Sequence, residues 1–209
     1  MPDIEPRFKA LGIRSTEKNH WDGSDRYTAP AIYDPSTGTY LADSTLIAQY
    51  LDETYPDTPA IFPKNTIGLQ LAFEDAYISS ISSLFPFGFL TIWKVLNSES
   101  KGHLRSALEK MIGATLEDAY PTGERAVEQW ALLKAGLGKV DAWYAKTDTV
   151  GPFALGDLIS WSDIVVASFT ISIRVCFGEE SQQWKDVSSW HDGRWADLIK
   201  AFEKYATIA

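Results

Sequence analysis

The chain has 209 residues, a mass of 23.3 kDa, and 19 basic against 28 acidic side chains, for a formal charge of −9. Folding at that mass buries about 70% of the surface an unfolded chain exposes, and 45% hydrophobic residues exclude a disordered or fibrous chain. The acidic balance argues against a nucleic-acid partner, because binding one needs a basic stripe to displace counterions.

The N-terminus reads Met1-Pro2-Asp3-Ile4-Glu5, with no basic n-region and no apolar h-region, so no secretory signal is expected. Ile4 to Leu11 predicts one to two helical turns stopped by Gly12. His20 to Tyr27 is polar and loop-like. Ala31-Ile32-Tyr33 and Thr39-Tyr40-Leu41 predict two short strands around the turn Asp34-Pro35-Ser36-Thr37-Gly38. A helix follows, capped by Ser44, with Leu46, Ile47, Tyr50 and Leu51 at helical spacing until Tyr55-Pro56. The stretch to Pro63 is too rich in proline for helix or central strand. Seven of the ten prolines lie at or before Pro63 and six of the eight tryptophans at or after Trp130, which marks a boundary here. Residues 1–58 form a first domain, 59–64 a linker and 65–209 a helical domain.

Beyond Pro63 the periods are helical throughout. A long helix is expected from about Thr66 to Asn97, bent or broken by Pro86, with others near Leu104 to Glu117, Gly123 to Ala145, Ser162 to Val175 and Glu180 to Tyr205. The apolar runs Leu84 to Val95 and Ile164 to Ile173 are too short to span a membrane. Cys176, the single cysteine, has no internal disulfide partner, which fits a reducing, cytoplasmic compartment.

Several short motifs carry chemistry. In Thr28-Ala29-Pro30-Ala31 a proline enters a strand; such a proline can be cis and leave the backbone before it open to a ligand, or it can be an ordinary strand entry. At Ala42-Asp43-Ser44, Ser44 as N-cap offers a hydroxyl and free N–H groups to a carboxylate, and Asp43 can accept from an ammonium group. Together they suit an amino-acid-like head, although a plain helix cap explains the same residues. Ser160-Trp161-Ser162-Asp163 is a capping-box variant and is assigned to folding. His20, His103 and His191 lack partners at ligand spacing, so no metal site is expected. Phe85, Phe87, Phe89 and Trp93 can line a helical groove for a flat apolar ligand or can be core.

The order of proline-strand, turn, strand, Asp-Ser, helix, proline linker and helical domain resembles a cytosolic glutathione transferase. The resemblance rests on Ala29-Pro30-Ala31-Ile32-Tyr33-Asp34, on Leu41 to Leu51 and on Gly156 to Asp163. The tail Trp190-His191-Asp192-Gly193-Arg194-Trp195 is similar to fungal transferases related to the lignin β-etherases and the ustiloxin-pathway type. The implied fold is α+β: an incomplete N-terminal thioredoxin-like domain, a β-hairpin with helices, followed by an all-α glutathione-transferase C-terminal domain.

The resemblance further implies glutathione as substrate, with Ala29 and Pro30 on its cysteinyl backbone and Asp43 and Ser44 on its γ-glutamyl group. It implies a pocket at Phe85, Phe89 and Trp93 for a hydrophobic electrophile, no metal, and a homodimer built on the helix from Ser44 and the long helix after Pro63. The chemistry implied is attack by a glutathione thiolate in the full-length form, on an aromatic or secondary-metabolite electrophile. The family's opening strand-helix-strand, with its thiol-activating residue, is not matched by this sequence, so no catalytic residue is assigned. A non-catalytic binder of aromatic ligands and a dimerising interaction module are the alternative functions. The hairpin, without inner neighbours, is expected to be poorly protected beside a stable helical domain.

Overall fold

A computed structural model describes residues 2–147 and 151–205, and they fall into two compact units, Met1–Ala60 with Leu96–Leu116 and Ile61–Val95 with Glu117–Ala209. The first unit opens with α1 (Ile4–Ala10), whose Phe8 is buried with Ile13 and Ala42 in a small core that Ile4 and Tyr27 flank. Next come β1 (Glu17–Lys18) and β2 (Asp25–Arg26), paired antiparallel in the register Glu17↔Arg26 and Lys18↔Asp25.

This miniature hairpin replaces the loop expected from His20 to Tyr27. Its strands have no apolar alternation to read. Instead, opposite charges face each other across the ladder, with Arg26 on Glu17 at 2.9 Å and Lys18 on Asp25. The turn closes through the Asn19 N–H on the Ser24 carbonyl at 2.9 Å, with Gly23 at φ +69°.

β3 (Ala31–Asp34) and β4 (Thr39–Ala42) pair antiparallel over four residues, Ala31↔Ala42 to Asp34↔Thr39. Tyr33 and Tyr40 oppose each other and stack with centroids 4.4 Å apart on the exposed face. The hairpin is bound to α2 (Ser44–Thr54) through Asp34, whose Oδ2 accepts from the Tyr50 and Tyr55 hydroxyls, each at 2.6 Å. α5 (Ser98–Ile112) completes the unit, begun by the Asn97 side chain on the Ser100 N–H at 2.9 Å and ended by Gly113 at φ +69°. Before it in sequence stand α3 (Ile67–Ser80) and α4 (Phe85–Val95), which belong to the second unit.

The expected long helix is thus two helices. The break is a 3₁₀ turn over Ser82–Leu84, and the two arms are bent by 47°. It precedes Pro86 because that ring would collide with the carbonyl four residues back, at Ser82, and Pro86 has no N–H to donate. Set in the first turn of α4, the proline lacks only a bond that the position would not make. After α6 (Leu116–Ala119), α7 (Gly123–Tyr144) crosses α3 so closely that a Cβ at Gly136 would lie 1.9 Å from the Ser80 carbonyl oxygen.

α8 (Trp161–Phe177), α9 (Gln182–Ser189) and α10 (Arg194–Phe202) follow. The helix expected over Glu180 to Tyr205 is broken because His191, Asp192 and Gly193 take φ of +55°, +57° and +82° in succession. The core of this unit is built from Tyr77, Leu133, Val140, Val166, Trp195 and Leu198, all buried. Among the described residues, no single helix is long and apolar enough to cross a membrane.

Candidate functional site

The end of the β3–β4 hairpin brings the two sequence-predicted glutathione segments together. The Ala29–Pro30 peptide is cis, and the ladder begins only at Ala31, so Ala29 is an exposed residue outside it. The Pro30 carbonyl accepts from the Asp43 N–H at 3.2 Å, which fixes Ala29-Pro30 beside Asp43-Ser44 although thirteen residues separate the prolyl and aspartyl positions in the chain.

The capping role belongs to Asp43 and not to Ser44. Asp43 sits at φ +82°, and its Oδ1 accepts from the Thr45 and Leu46 N–H groups at 2.9 and 3.0 Å. Ser44 is the first helical residue and is exposed. Both residue types cap well, so the sequence alone could not choose between them. The consequence is chemical: Oδ1 of Asp43 is committed to the helix, and Oδ2 takes no part in those two cap bonds. The Ser44 N–H and hydroxyl lie at the positive end of the helix dipole, where a carboxylate is favoured.

The remaining predicted residues lie in the second unit. Phe85 and Phe89 are one turn apart on α4, with rings stacked at 6.5 Å, and Phe85 also packs on Phe169 at 6.2 Å. Trp93 is one turn further on and half-buried. Ser160 and Asp163 are fully buried at the start of α8. Asp163 Oδ2 accepts from the Ser160 N–H at 2.9 Å and hydroxyl at 2.7 Å; its Oδ1 accepts from the Ala154 N–H at 2.7 Å and the Tyr144 hydroxyl at 2.9 Å. Burial, reinforced by the Asp163 charge, raises the Tyr144 phenol well above its ordinary pKa, so it stays a donor.

Two anchors of α8 escaped the sequence. Gln70 Oε1 accepts from the Ser162 N–H at 2.9 Å, and Glu74 Oε2 from the Trp161 indole at 2.7 Å. They join residues about ninety positions apart, and no local pattern reports such pairs.

The first unit also contains a cleft of about 720 Å³, bordered by Ala29, by Trp21 and Tyr27, and by α5. Phe85, Phe89 and Trp93 do not line it. A smaller hollow of about 210 Å³ lies against Phe87 and Trp130 in the second unit. No group of three or more His, Cys, Asp or Glu side chains among the described residues is placed to hold a metal.

A small unit bearing a hairpin with a proline-entered strand and an acidic-Ser helix start is joined in sequence to a helical unit. Residues 8–59 match the glutathione S-transferase N-terminal domain and residues 68–205 its C-terminal domain. The chain belongs to the glutathione S-transferase family. It is similar to a glutathione S-transferase-like protein, ustS, of Aspergillus flavus, with 25% identity over 96% of this chain and 74% of that protein. Among solved structures, it is similar to the glutathione S-transferase CsGST83044 of Ceriporiopsis subvermispora, in complex with glutathione. That match has 35% identity and a TM-score of 0.91, and covers 98% of this chain and 82% of that one. A second transferase of that fungus, CsGST63524, also in complex with glutathione, matches at 36% identity and a TM-score of 0.92 over 100% of this chain and 82% of that one.

Proposed function

We propose that this chain holds glutathione at the open end of the β3–β4 hairpin, as part of a cytoplasmic, homodimeric enzyme that conjugates the tripeptide to a hydrophobic or aromatic electrophile. The observation that carries the reading is the Asp43 N–H to Pro30 carbonyl bond of 3.2 Å, which sets an exposed backbone beside a helix start bearing a carboxylate. The family relationship and two glutathione-bound relatives support it.

In this reading, the Ala29 backbone pairs with the cysteinyl residue. Asp43 Oδ2 receives the γ-glutamyl ammonium, and the Ser44 N–H and hydroxyl receive its carboxylate. The thiol gives up its proton to solvent, and the thiolate sulfur forms a bond to the electrophilic carbon. A leaving group departs with the electron pair of the bond it breaks. What these residues contribute is position: they fix the sulfur relative to the hairpin end.

Titration calorimetry with glutathione on the 209-residue chain tests this. Ser44→Ala is expected to weaken binding about tenfold to a hundredfold, from loss of one hydrogen bond to a charged group. Asp43→Asn keeps an Oδ1 able to cap, removes the charge facing the ammonium, and is expected to weaken binding at least as much. Unchanged affinity in both variants would overturn the reading.

A further inference from the structure

His191 opens the turn between α9 and α10, and its ring has one defined task. Its Nδ1 accepts the Trp195 indole N–H at 2.9 Å. A ring nitrogen that accepts carries no proton, so the imidazole is neutral and its proton sits on Nε2. Trp195 is completely buried, which makes the acceptor for its N–H costly to lose. The ring is held on several sides. It meets Trp195 edge-on at 5.7 Å and Trp190 at 6.5 Å, and a Cβ at Gly138 of α7 would lie 3.1 Å from Nε2.

The backbone around it needs holding. His191 and Asp192 stand at φ +55° and +57°, where a residue with a Cβ is strained and persists only when its surroundings impose it. The Gly193 N–H on the Trp190 carbonyl at 3.2 Å closes the turn, and the His191–Trp195 bond joins it to α10. Charges face the imidazole from the elements around it: Asp192 from the turn, Arg194 from α10, and Lys134 and Asp141 from α7. Arg194 donates to Asp141, and Lys134 lies over the Trp190 ring at 5.6 Å, so opposite charges offset one another. On α9, Asp186 is held by the Trp130 indole at 2.8 Å, and Lys185 stands 3.2 Å from Glu180. Burial prevails and pushes His191 below the ordinary histidine value of 6.5.

We infer that His191 is a proton-operated latch: protonation at Nδ1 sets one N–H against another, breaks the bond to Trp195, and releases the Trp190–Gly193 turn with the first turn of α10. The proton comes from solvent, and no covalent bond of the chain backbone changes. A folded pKa below the ordinary one means that the released turn takes up the proton first as pH falls. The latch is therefore closed above about pH 6.5 and opens as pH drops through the folded value. Glutathione has no part in it, since every group of the latch lies in the second unit.

Hydrogen-exchange protection factors for residues 191–196 of the 209-residue chain, taken at about pH 7.5 and about pH 5, test this. Protection is expected to fall at least tenfold at the lower pH. His191→Asn should change less than twofold over the same interval, because asparagine tolerates the left-handed backbone and its Oδ1 accepts in place of Nδ1 without titrating. A second readout needs only the wild type: the Trp195 indole N–H resonance should shift with the same pH midpoint as the His191 ring. That readout decides the matter if His191→Asn does not fold. Constant protection in the wild type, an equal fall in His191→Asn, or an indole resonance that does not follow His191 would overturn the inference.

Discussion

Asp163 carries more than a helix cap ordinarily does. Its carboxylate collects four donors from three segments of the second unit: the Ser160 main chain and hydroxyl, the Ala154 N–H and the Tyr144 hydroxyl. Ser160 by comparison adds a single hydroxyl to that set. Each buried donor left without a partner costs about 1–3 kcal/mol, so Asp163→Ala is expected to lower the unfolding free energy by about 3 kcal/mol or more, even after water enters. Ser160→Ala should cost about 1 kcal/mol. Urea titrations of the two variants check the order, and a loss below about 1 kcal/mol for Asp163→Ala would refute it.

Asp34 does comparable work in the first unit and lends it a pH dependence. The Ser36 hydroxyl, then the Tyr50 and Tyr55 hydroxyls, hold its carboxyl well below the usual carboxylate range. A depressed folded pKa means that the unfolded chain takes up protons first as pH falls. The stabilisation is therefore complete above about pH 4, the ordinary aspartate value, and is lost as pH drops through the folded value. Thermal melts of wild type and Asp34→Asn are expected to differ at pH 7 and to converge toward pH 2. A constant gap across that range would mean that the charge is not what the two tyrosines hold.

Helices show where local pattern suffices and where it stops. Apolar spacing located the chain's main helices, and Pro86 announced a bend, but its position follows from a proline clash one turn upstream, so the break falls at Ser82–Leu84. The Trp190–Gly193 interruption depends on three successive left-handed residues, of which Gly193 alone is free of the Cβ penalty there. His191 there accepts the Trp195 indole N–H at 2.9 Å, a local bond across four positions that ties the turn to the start of α10. At the candidate site, residue types marked Ala29-Pro30 and Asp43-Ser44, yet which residue caps depended on a backbone angle.

Two helical glycines make this distinction measurable. A Cβ at Gly102 in α5 would meet nothing within 4 Å, so Gly102→Ala should stabilise the helix by about 0.5–1 kcal/mol through propensity alone. At Gly136 the same methyl would lie 1.9 Å from the Ser80 carbonyl oxygen, so Gly136→Ala must push α7 off α3 and should cost about 1–3 kcal/mol. Opposite signs in denaturant midpoints are the expected result; equal signs would show that propensity, or packing, rules at both positions.

At the scale of the whole molecule the two units differ in how they resist opening. The second places Leu133, Val140, Val166, Trp195 and Leu198 at 0–1% exposure or close to it, with α8 tied down by Gln70, Glu74 and the Asp163 carboxylate. The first, among its described residues, has two sheets of two strands each and a core cluster of Phe8, Ile13 and Ala42. A two-stranded hairpin is marginal in water, and β3–β4 gains its stability from the Asp34 clamp on α2 and from that small cluster. Amides in such an element exchange through local opening, whereas those of α8 require the larger unit to unfold. Hydrogen exchange of the 209-residue chain should therefore show residues 31–41 exchanging at least tenfold faster than residues 160–175. Saturating glutathione should slow the hairpin and leave α8 unchanged, because a ligand protects only the openings that destroy its site. Equal and strong protection in both segments without ligand would mean that the hairpin opens only when the helical unit does, and the two-tier stability argued from these cores would be wrong.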